Sequence, residues 1–175
     1  MNARYLYYLP FLLFGACLPE ASIPDVCAVD FSGAYAYRPE FKVTFPPEVG
    51  ADLGPCTRAF PDNVQGYFLA FSDEICPVEQ NFLKLLEMDP ALSDPPGWQL
   101  DREQLEMSAL QYIGMLIEDR RYVYLNGFTF YSEEDLQNNF LNWRDRFVQP
   151  CDAGAWGALF DLEIETFSDL AFENR

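Results

Sequence analysis

The chain has 175 residues, of which 50% are hydrophobic and 17% are aromatic, enough apolar material for the core of one ordinary domain. Its 11 basic residues face 28 acidic ones, and the formal net charge is −17 at pH 7. A charge of this sign repels phosphate groups, so the composition argues against nucleic acid as a partner and against direct contact of the domain with anionic lipids.

The N-terminal segment has the layout of an export signal. Arg4 supplies a positive charge, and residues 5–14 form an apolar run that is interrupted at Pro10. The run is well short of the roughly 20 residues that a helix needs to cross a bilayer. We therefore expect residues 1–16 to be a signal peptide and not a transmembrane anchor.

The signal segment ends with the sequence Leu-Phe-Gly-Ala-Cys at residues 13–17. Small residues directly before a cysteine resemble the lipobox of bacterial lipoproteins, in which the cysteine becomes the lipidated first residue of the mature chain. Ordinary signal cleavage fits less well, because Phe14 and Pro19 stand where it requires small residues. The resemblance implies a lipid on Cys17, and the uncharged Leu18 after it implies the outer membrane, with the domain facing the periplasm.

The remaining cysteines are even in number once Cys17 of the 5 is assigned to a lipid. An even set in an exported chain favours two disulfides, and all three pairings stay open. A zinc site is the alternative, but the spacings are tens of residues and the chain has no histidine. We expect no metal and no cofactor. The predicted disulfide cysteines are Cys27, Cys56, Cys76 and Cys151.

Domain boundaries follow from composition. Residues 17–30 contain Pro19 and Pro24 and few periodic apolar positions, so they predict a short tether that follows the lipid. No internal repeat or second composition shift follows, and residues 31–175 are therefore predicted to form a single domain. The chain has no Asn-x-Ser/Thr sequence, which favours a bacterial source over a secreted eukaryotic one.

Two strands are predicted in the first half of the domain. Apolar and polar residues alternate over residues 41–45, as in a half-buried strand, and residues 34–37 are a candidate partner. Residues 48–63 are rich in glycine and proline and predict a loop. The continuous apolar run at residues 67–71 predicts a central strand that is buried on both faces.

Three segments have the apolar spacing of amphipathic helices, at residues 72–88, 101–119 and 132–149. Asp101 and Ser132 are each suited to accept a hydrogen bond from the first turn of the helix that follows. About three helices are therefore expected to pack against the sheet.

Two further features complete the predicted sheet. Residues 121–125 and 128–131 are rich in β-formers and flank Asn126-Gly127, the pair that best tolerates a type I′ turn, so a β-hairpin is predicted there. Residues 160–165 alternate between apolar and acidic and predict a strand with one acidic face. The expected fold class is α+β, with a mostly antiparallel sheet, about three packed helices and two disulfides.

The candidate functional residues are aromatic. The absence of histidine removes the commonest general base and excludes serine or cysteine triads that use it. We expect a non-catalytic accessory or assembly subunit of the bacterial envelope that binds a protein partner through exposed aromatic residues. The alternative is a small envelope hydrolase or saccharide-binding protein that uses carboxylates. The aromatic residues of the predicted hairpin are the candidate partner contacts: Tyr122, Tyr124, Phe128, Phe130 and Tyr131.

Overall fold

A computed structural model describes residues 41–50, 60–140, 142–148 and 155–173. These residues form a six-stranded sheet with short helices on both faces, and the α+β class with a mostly antiparallel sheet is confirmed. No helix within the described ranges is both long enough and apolar enough to cross a membrane. Several predictions lie outside the described residues: the signal peptide, the tether, the candidate strand at 34–37, and the roles of Cys17, Cys27, Cys56 and Cys151.

The sheet has the strand order β1-β3-β4-β5-β6, and β2 also pairs with β3. Strand β1 runs parallel to β3, and every other pairing is antiparallel. Because β1 pairs with residues 110–112 and β2 with residues 114–117, both occupy the same edge of β3, one after the other. The strands are β1 (Lys42–Thr44), β2 (Val64–Phe68), β3 (Ser108–Ile117), β4 (Arg120–Thr129), β5 (Ala155–Asp161) and β6 (Thr166–Phe172).

The helices of the described part are short. They are α1 (Pro47–Gly50), α2 (Ser72–Gln80), α3 (Arg102–Glu106) and α4 (Glu133–Asn139), with 3₁₀ helices at Phe82–Glu87 and Pro90–Leu92. Consecutive residues of a strand point to opposite faces, so Tyr112 packs with Val78 and Phe82 on one face while Ile113 packs with Phe147 on the other. The core therefore has two halves, one on each side of the sheet.

The first and third predicted helices are shorter than expected. Over residues 72–88 the α-helix ends at Gln80, and a 3₁₀ helix follows. In the third segment, Ser132 accepts a hydrogen bond from the Asp135 amide at 3.0 Å, as predicted, but α4 ends at Asn139. Its apolar stripe continues into residues 142–148, where Trp143 and Phe147 are buried without being helical.

The predicted helix at 101–119 is wrong beyond its first turn. Asp101 Oδ1 accepts the Gln104 amide at 2.7 Å and Gln104 Oε1 accepts the Asp101 amide at 3.1 Å, so the predicted cap is confirmed. Helix α3 ends at Glu106, however, and β3 begins at Ser108. The first eight residues of β3 are all buried, and a strand buried on both faces has the same continuous apolar pattern as a buried helix.

The predicted turn at Asn126-Gly127 is also wrong. Both residues lie inside β4, where they pair with β3 on one side and β5 on the other. The β3–β4 turn consists of Glu118 and Asp119, whose φ angles of 51° and 63° are those of a type I′ turn. Gly127 instead allows the indole ring of Trp156 to pack directly against β4, because a Cβ at residue 127 would lie 2.1 Å from that ring.

Two predicted strands are misplaced. The segment at 67–71 corresponds to β2, which within the described part pairs with β3 alone and is therefore an edge strand. The predicted strand at 160–165 ends at Asp161, because Asp161 Oδ1 accepts the amides of Glu163 at 2.8 Å and Ile164 at 3.2 Å and turns the chain into β6. The strand at 41–45 is confirmed as β1, although Lys42 is buried and not exposed.

Candidate functional site

The aromatic residues predicted to contact a partner are divided between the core and the surface. Tyr124, Phe128 and Phe130 are at most 2% exposed. Tyr122 is partly buried, whereas Tyr131 is 72% exposed beside a hollow of about 170 Å³. The five residues therefore do not form a continuous exposed platform.

The buried members of this set are covered by segments that the local sequence pattern does not place. Phe128 packs against Phe140 and Trp143 with ring centroids 4.5 and 5.8 Å apart. Phe60 packs edge-on against Tyr124 at 5.1 Å. Residues 60, 140 and 143 thus convert one side of β4 from a surface into part of the core.

A buried amide network holds residues 142–148 against the sheet. Gln111 and Asn126 are neighbours on β3 and β4, and Asn126 Nδ2 donates to Gln111 Oε1 at 2.9 Å. Gln111 Nε2 donates to the carbonyls of Trp143 at 2.6 Å and Arg146 at 3.0 Å. Val148 completes the network, since its amide donates to Gln111 Oε1 at 2.8 Å and its carbonyl accepts from Asn126 at 2.9 Å. The network is structural because each of these groups is satisfied within the fold.

A buried ionic group joins β1, α2 and β3. Lys42 Nζ and the Tyr112 hydroxyl both donate to the carboxylate of Glu79, and all three side chains lie in the core. Burial lowers the pKa of Lys42 from its ordinary value, and the neighbouring Glu79 carboxylate partly offsets this effect. Because the charges compensate one another beneath the surface, we assign this group to structure. Helix α2 also carries Cys76, which is disulfide-bonded.

A cavity of about 430 Å³ lies at one end of the sheet, and its volume is within the size range of ligand sites. It lies where the ends of β3, β4, β5 and β6 approach the segment at 60–62 and the loop at 92–94. We call it the acidic cavity because four carboxylates and no lysine or arginine line it. Its lining comprises Phe60, Pro61, Asp62, Leu92, Asp94, Ile117, Glu118, Tyr122, Leu159, Ser168, Asp169, Leu170 and Ala171.

One wall of the acidic cavity is the loop that contains Leu92. The buried Ser93 hydroxyl organises this loop: it lies 2.8 and 2.9 Å from the carbonyls of Pro90 and Pro95, and it accepts the amide of Trp98 at 3.2 Å. The loop is fixed to β6 as well, because the Asp94 amide donates to the Leu170 carbonyl at 2.9 Å. Leu92 and Trp98 are 76% and 44% exposed on this ordered support.

Tyr122 stands at the rim of the acidic cavity next to an ion pair. Arg120 Nη2 lies 2.6 Å from Asp161 Oδ2, and Arg120 Nε lies 3.2 Å from Glu163 Oε2. The guanidinium is 5.8 Å from the centre of the Tyr122 ring. Burial raises the pKa of the Tyr122 hydroxyl, and the Asp161 carboxylate raises it further, while Arg120 acts in the opposite direction.

Among the described residues, no group of three or more cysteine, aspartate or glutamate side chains is arranged to bind a metal ion. The cavity carboxylates were missed by sequence reasoning because the four come from four separate segments of the chain. Comparisons with protein-family models, with curated proteins and with solved structures found no match to this chain.

Proposed function

We propose that the protein is a lipid-anchored lipoprotein of the bacterial envelope, held at the outer membrane through Cys17 and facing the periplasm. Its domain acts as a non-catalytic accessory or assembly subunit that binds a protein partner. The signal segment and the cysteine at its end support the address. The disulfide at Cys76 is consistent with an oxidising compartment, and two disulfides among the four cysteines are part of the proposal.

The observation that carries the binding function is the ordered loop beside the acidic cavity. Contiguous exposed apolar patches often mark contact sites, whereas single exposed apolar side chains are ordinary, and we treat Leu92 and Trp98 as parts of one such patch. Leu92 and Trp98 are presented by a loop that internal hydrogen bonds and β6 both hold in place. A partner that covers them loses little conformational entropy in the loop, which favours binding.

A photo-crosslinking amino acid placed at Leu92 or Trp98 in living cells tests the binding surface. The matched control is Phe71, which is 63% exposed at the start of α2 and does not line the cavity. We expect one discrete adduct from positions 92 and 98 and none from position 71. Leu92→Asp should weaken co-purification of that same partner about tenfold, as loss of a central apolar contact does. Equal adducts from all three positions, or none, would contradict the proposal.

Mass spectrometry of the mature N-terminus tests the anchor. A diacyl or triacyl mass on Cys17, lost together with processing in Cys17→Ser, is the expected result. An unmodified N-terminus at a later residue would refute lipidation. Thiol titration of the denatured, unreduced protein tests the disulfides, and free thiols at the other four cysteines would refute them.

A carboxylate-dependent hydrolase or saccharide-binding protein is the second candidate. The observation that favours it is that Asp62, Asp94, Glu118 and Asp169 all line one cavity. Glycoside hydrolysis needs two such groups, one to protonate the leaving oxygen and one as nucleophile or base. Release of soluble fragments from purified peptidoglycan, abolished by Asp94→Asn and by Asp169→Asn, would support this candidate over the first.

A further inference from the structure

We infer that the acidic cavity receives a positively charged side chain, lysine or arginine, of the protein partner. This inference rests on the proposed binding function and adds the chemistry of the contact. Leu92 and Trp98 would meet an apolar part of the partner, and the cation would enter the cavity next to them.

The charges of the cavity are the first argument. In the part of the chain that the structure describes, no lysine or arginine forms an ion pair with Asp62, Asp94, Glu118 or Asp169. Other carboxylates near this end of the sheet do have such partners: Asp161 and Glu163 pair with Arg120. All four carboxylates are exposed, so water screens part of their charge, and the negative potential of the cavity attracts a cation most strongly once a partner covers it.

The walls of the cavity are the second argument. Phe60 and Tyr122 both contribute aromatic surface, and a cation gains energy over the face of such a ring. Leu159 and Ile117 offer apolar contact to the methylene groups of a long basic side chain. A volume of about 430 Å³ accommodates such a side chain together with ordered water. A hollow that combines aromatic walls with carboxylates favours a cation over a neutral apolar group.

Net charge distinguishes the three candidate occupants of the acidic cavity: the tether of this chain, a second copy of this chain, and a different protein. The tether at residues 17–30 has three acidic residues, Glu20, Asp25 and Asp30, and no basic one. A second copy of the chain would bring another net charge of −17. Both would be repelled by the cavity, whereas a basic segment of a different protein would be attracted to it.

Small cations test the cavity separately from the partner. The probe is n-butylguanidinium, and n-butylurea, which has nearly the same shape and no charge, is its control. Both are titrated into residues 17–175 with Cys17→Ser, expressed without residues 1–16 so that no signal processing is needed, and followed by amide chemical shifts. We expect saturable shifts confined to the cavity with n-butylguanidinium and none with n-butylurea.

Variants assign the effect to the cavity carboxylates. Asp62→Asn with Asp169→Asn removes two of the charges, and asparagine also suits the positive φ of 51° at residue 169. This pair should weaken n-butylguanidinium binding about fivefold or more, whereas Glu134→Gln on exposed α4 should leave it unchanged. Equal binding of the neutral probe, shifts spread over the surface, no saturation, or no effect of the double variant would each overturn the inference. Crosslinking from Leu92 does not require a cation site. It can therefore succeed when the cation probe fails, so failure of this inference is distinguishable from failure of the proposed binding function.

Discussion

Gly127 on β4 and Trp156 on β5 are cross-strand neighbours, and the indole ring occupies the space where any other residue at 127 would place its Cβ, 2.1 Å from Trp156 Cε2. The indole Nε1 donates to Ser108 Oγ at 2.9 Å, and Ser108 Oγ in turn donates to the Gln104 carbonyl at 2.6 Å. The ring therefore joins β5, β3 and the end of α3, and the glycine makes this position available to it.

Gly127→Ala should destabilise the domain by about 1–3 kcal/mol, the usual cost of adding a methyl group to a filled core. The matched control is Gly66→Ala on edge strand β2, where the nearest atom, Leu116 Cδ1, is 3.7 Å from the added Cβ. Urea unfolding measures both changes. Equal midpoints for the two variants would show that Trp156 can move without loss.

Gln111→Ala should release residues 142–148 from the sheet. The substitution leaves the carbonyls of Trp143 and Arg146 and the amide of Val148 without their partner, at a cost of about 1–3 kcal/mol for each buried group that water cannot reach. Hydrogen exchange of the Val148 amide should become much faster. Gln137→Ala on the exposed side of α4 is the control. Unchanged protection of Val148 in Gln111→Ala would contradict the assigned role of the network.

The Lys42–Glu79 pair should respond asymmetrically to substitution. Lys42→Met leaves a buried carboxylate without its cation and should cost about 3–5 kcal/mol. Adding Glu79→Gln removes that charge while keeping an acceptor for the Tyr112 hydroxyl, so the double variant should recover most of the loss. Thermal and urea unfolding measure the cycle. A double variant as unstable as Lys42→Met alone would show that the pair itself contributes the stability.

The same pair predicts a dependence of stability on alkaline pH. Burial lowers the pKa of Lys42 below its ordinary value of 10.5, so the folded state disfavours the charged ammonium. The free-energy cost of burying the charged ammonium is fully present below the pKa of Lys42 in the folded state. It disappears as the pH rises to the pKa of Lys42 in the unfolded state. In that window the unfolded state binds more protons, and stability must increase with pH. The free energy of unfolding of the wild type, relative to Lys42→Met/Glu79→Gln, should therefore rise as the pH increases from the lowered folded-state pKa of Lys42 towards its ordinary value of 10.5.

Asp161→Asn should lower the pKa of Tyr122. Burial is the main cause of the raised pKa and would remain, but the adjacent negative charge would be gone and Arg120 would act unopposed by Asp161. NMR titration of labelled tyrosine should show the change. Glu163→Gln removes an exposed charge from the same ion-pair group and is the control. A tyrosine pKa that moves equally in both variants would exclude a specific effect of Asp161.

Structural features that depend on residues close together in the sequence, such as helix caps, were predictable from the sequence. Asp101 with Gln104, and Ser132 with Asp135, form caps between residues three apart, and both caps are present. The alternation at 41–45 likewise predicts β1. The predicted turn at Asn126-Gly127 was wrong, because a turn and a close approach to an indole ring both favour glycine. The indole belongs to Trp156, which is distant in the sequence.

The candidate site could not be predicted in the same way. Its residues come from the 60–62 segment, the 92–94 loop and the ends of four strands, and no spacing in the sequence relates them. The sequence shows that residues 122–131 are rich in aromatic side chains, but alternation alone does not decide whether the second face of a strand meets solvent or another layer.

The sequence by itself determined the composition of the core, the strong negative charge, the helix caps and the α+β class, because each depends on residue type or on interactions within a few positions. Only the tertiary structure decided which apolar runs became strands, that the aromatic side chains of β4 are largely covered, and that four distant carboxylates share one cavity. The physical reason is that burial depends on which segments pack together, and these segments are tens of residues apart in the chain.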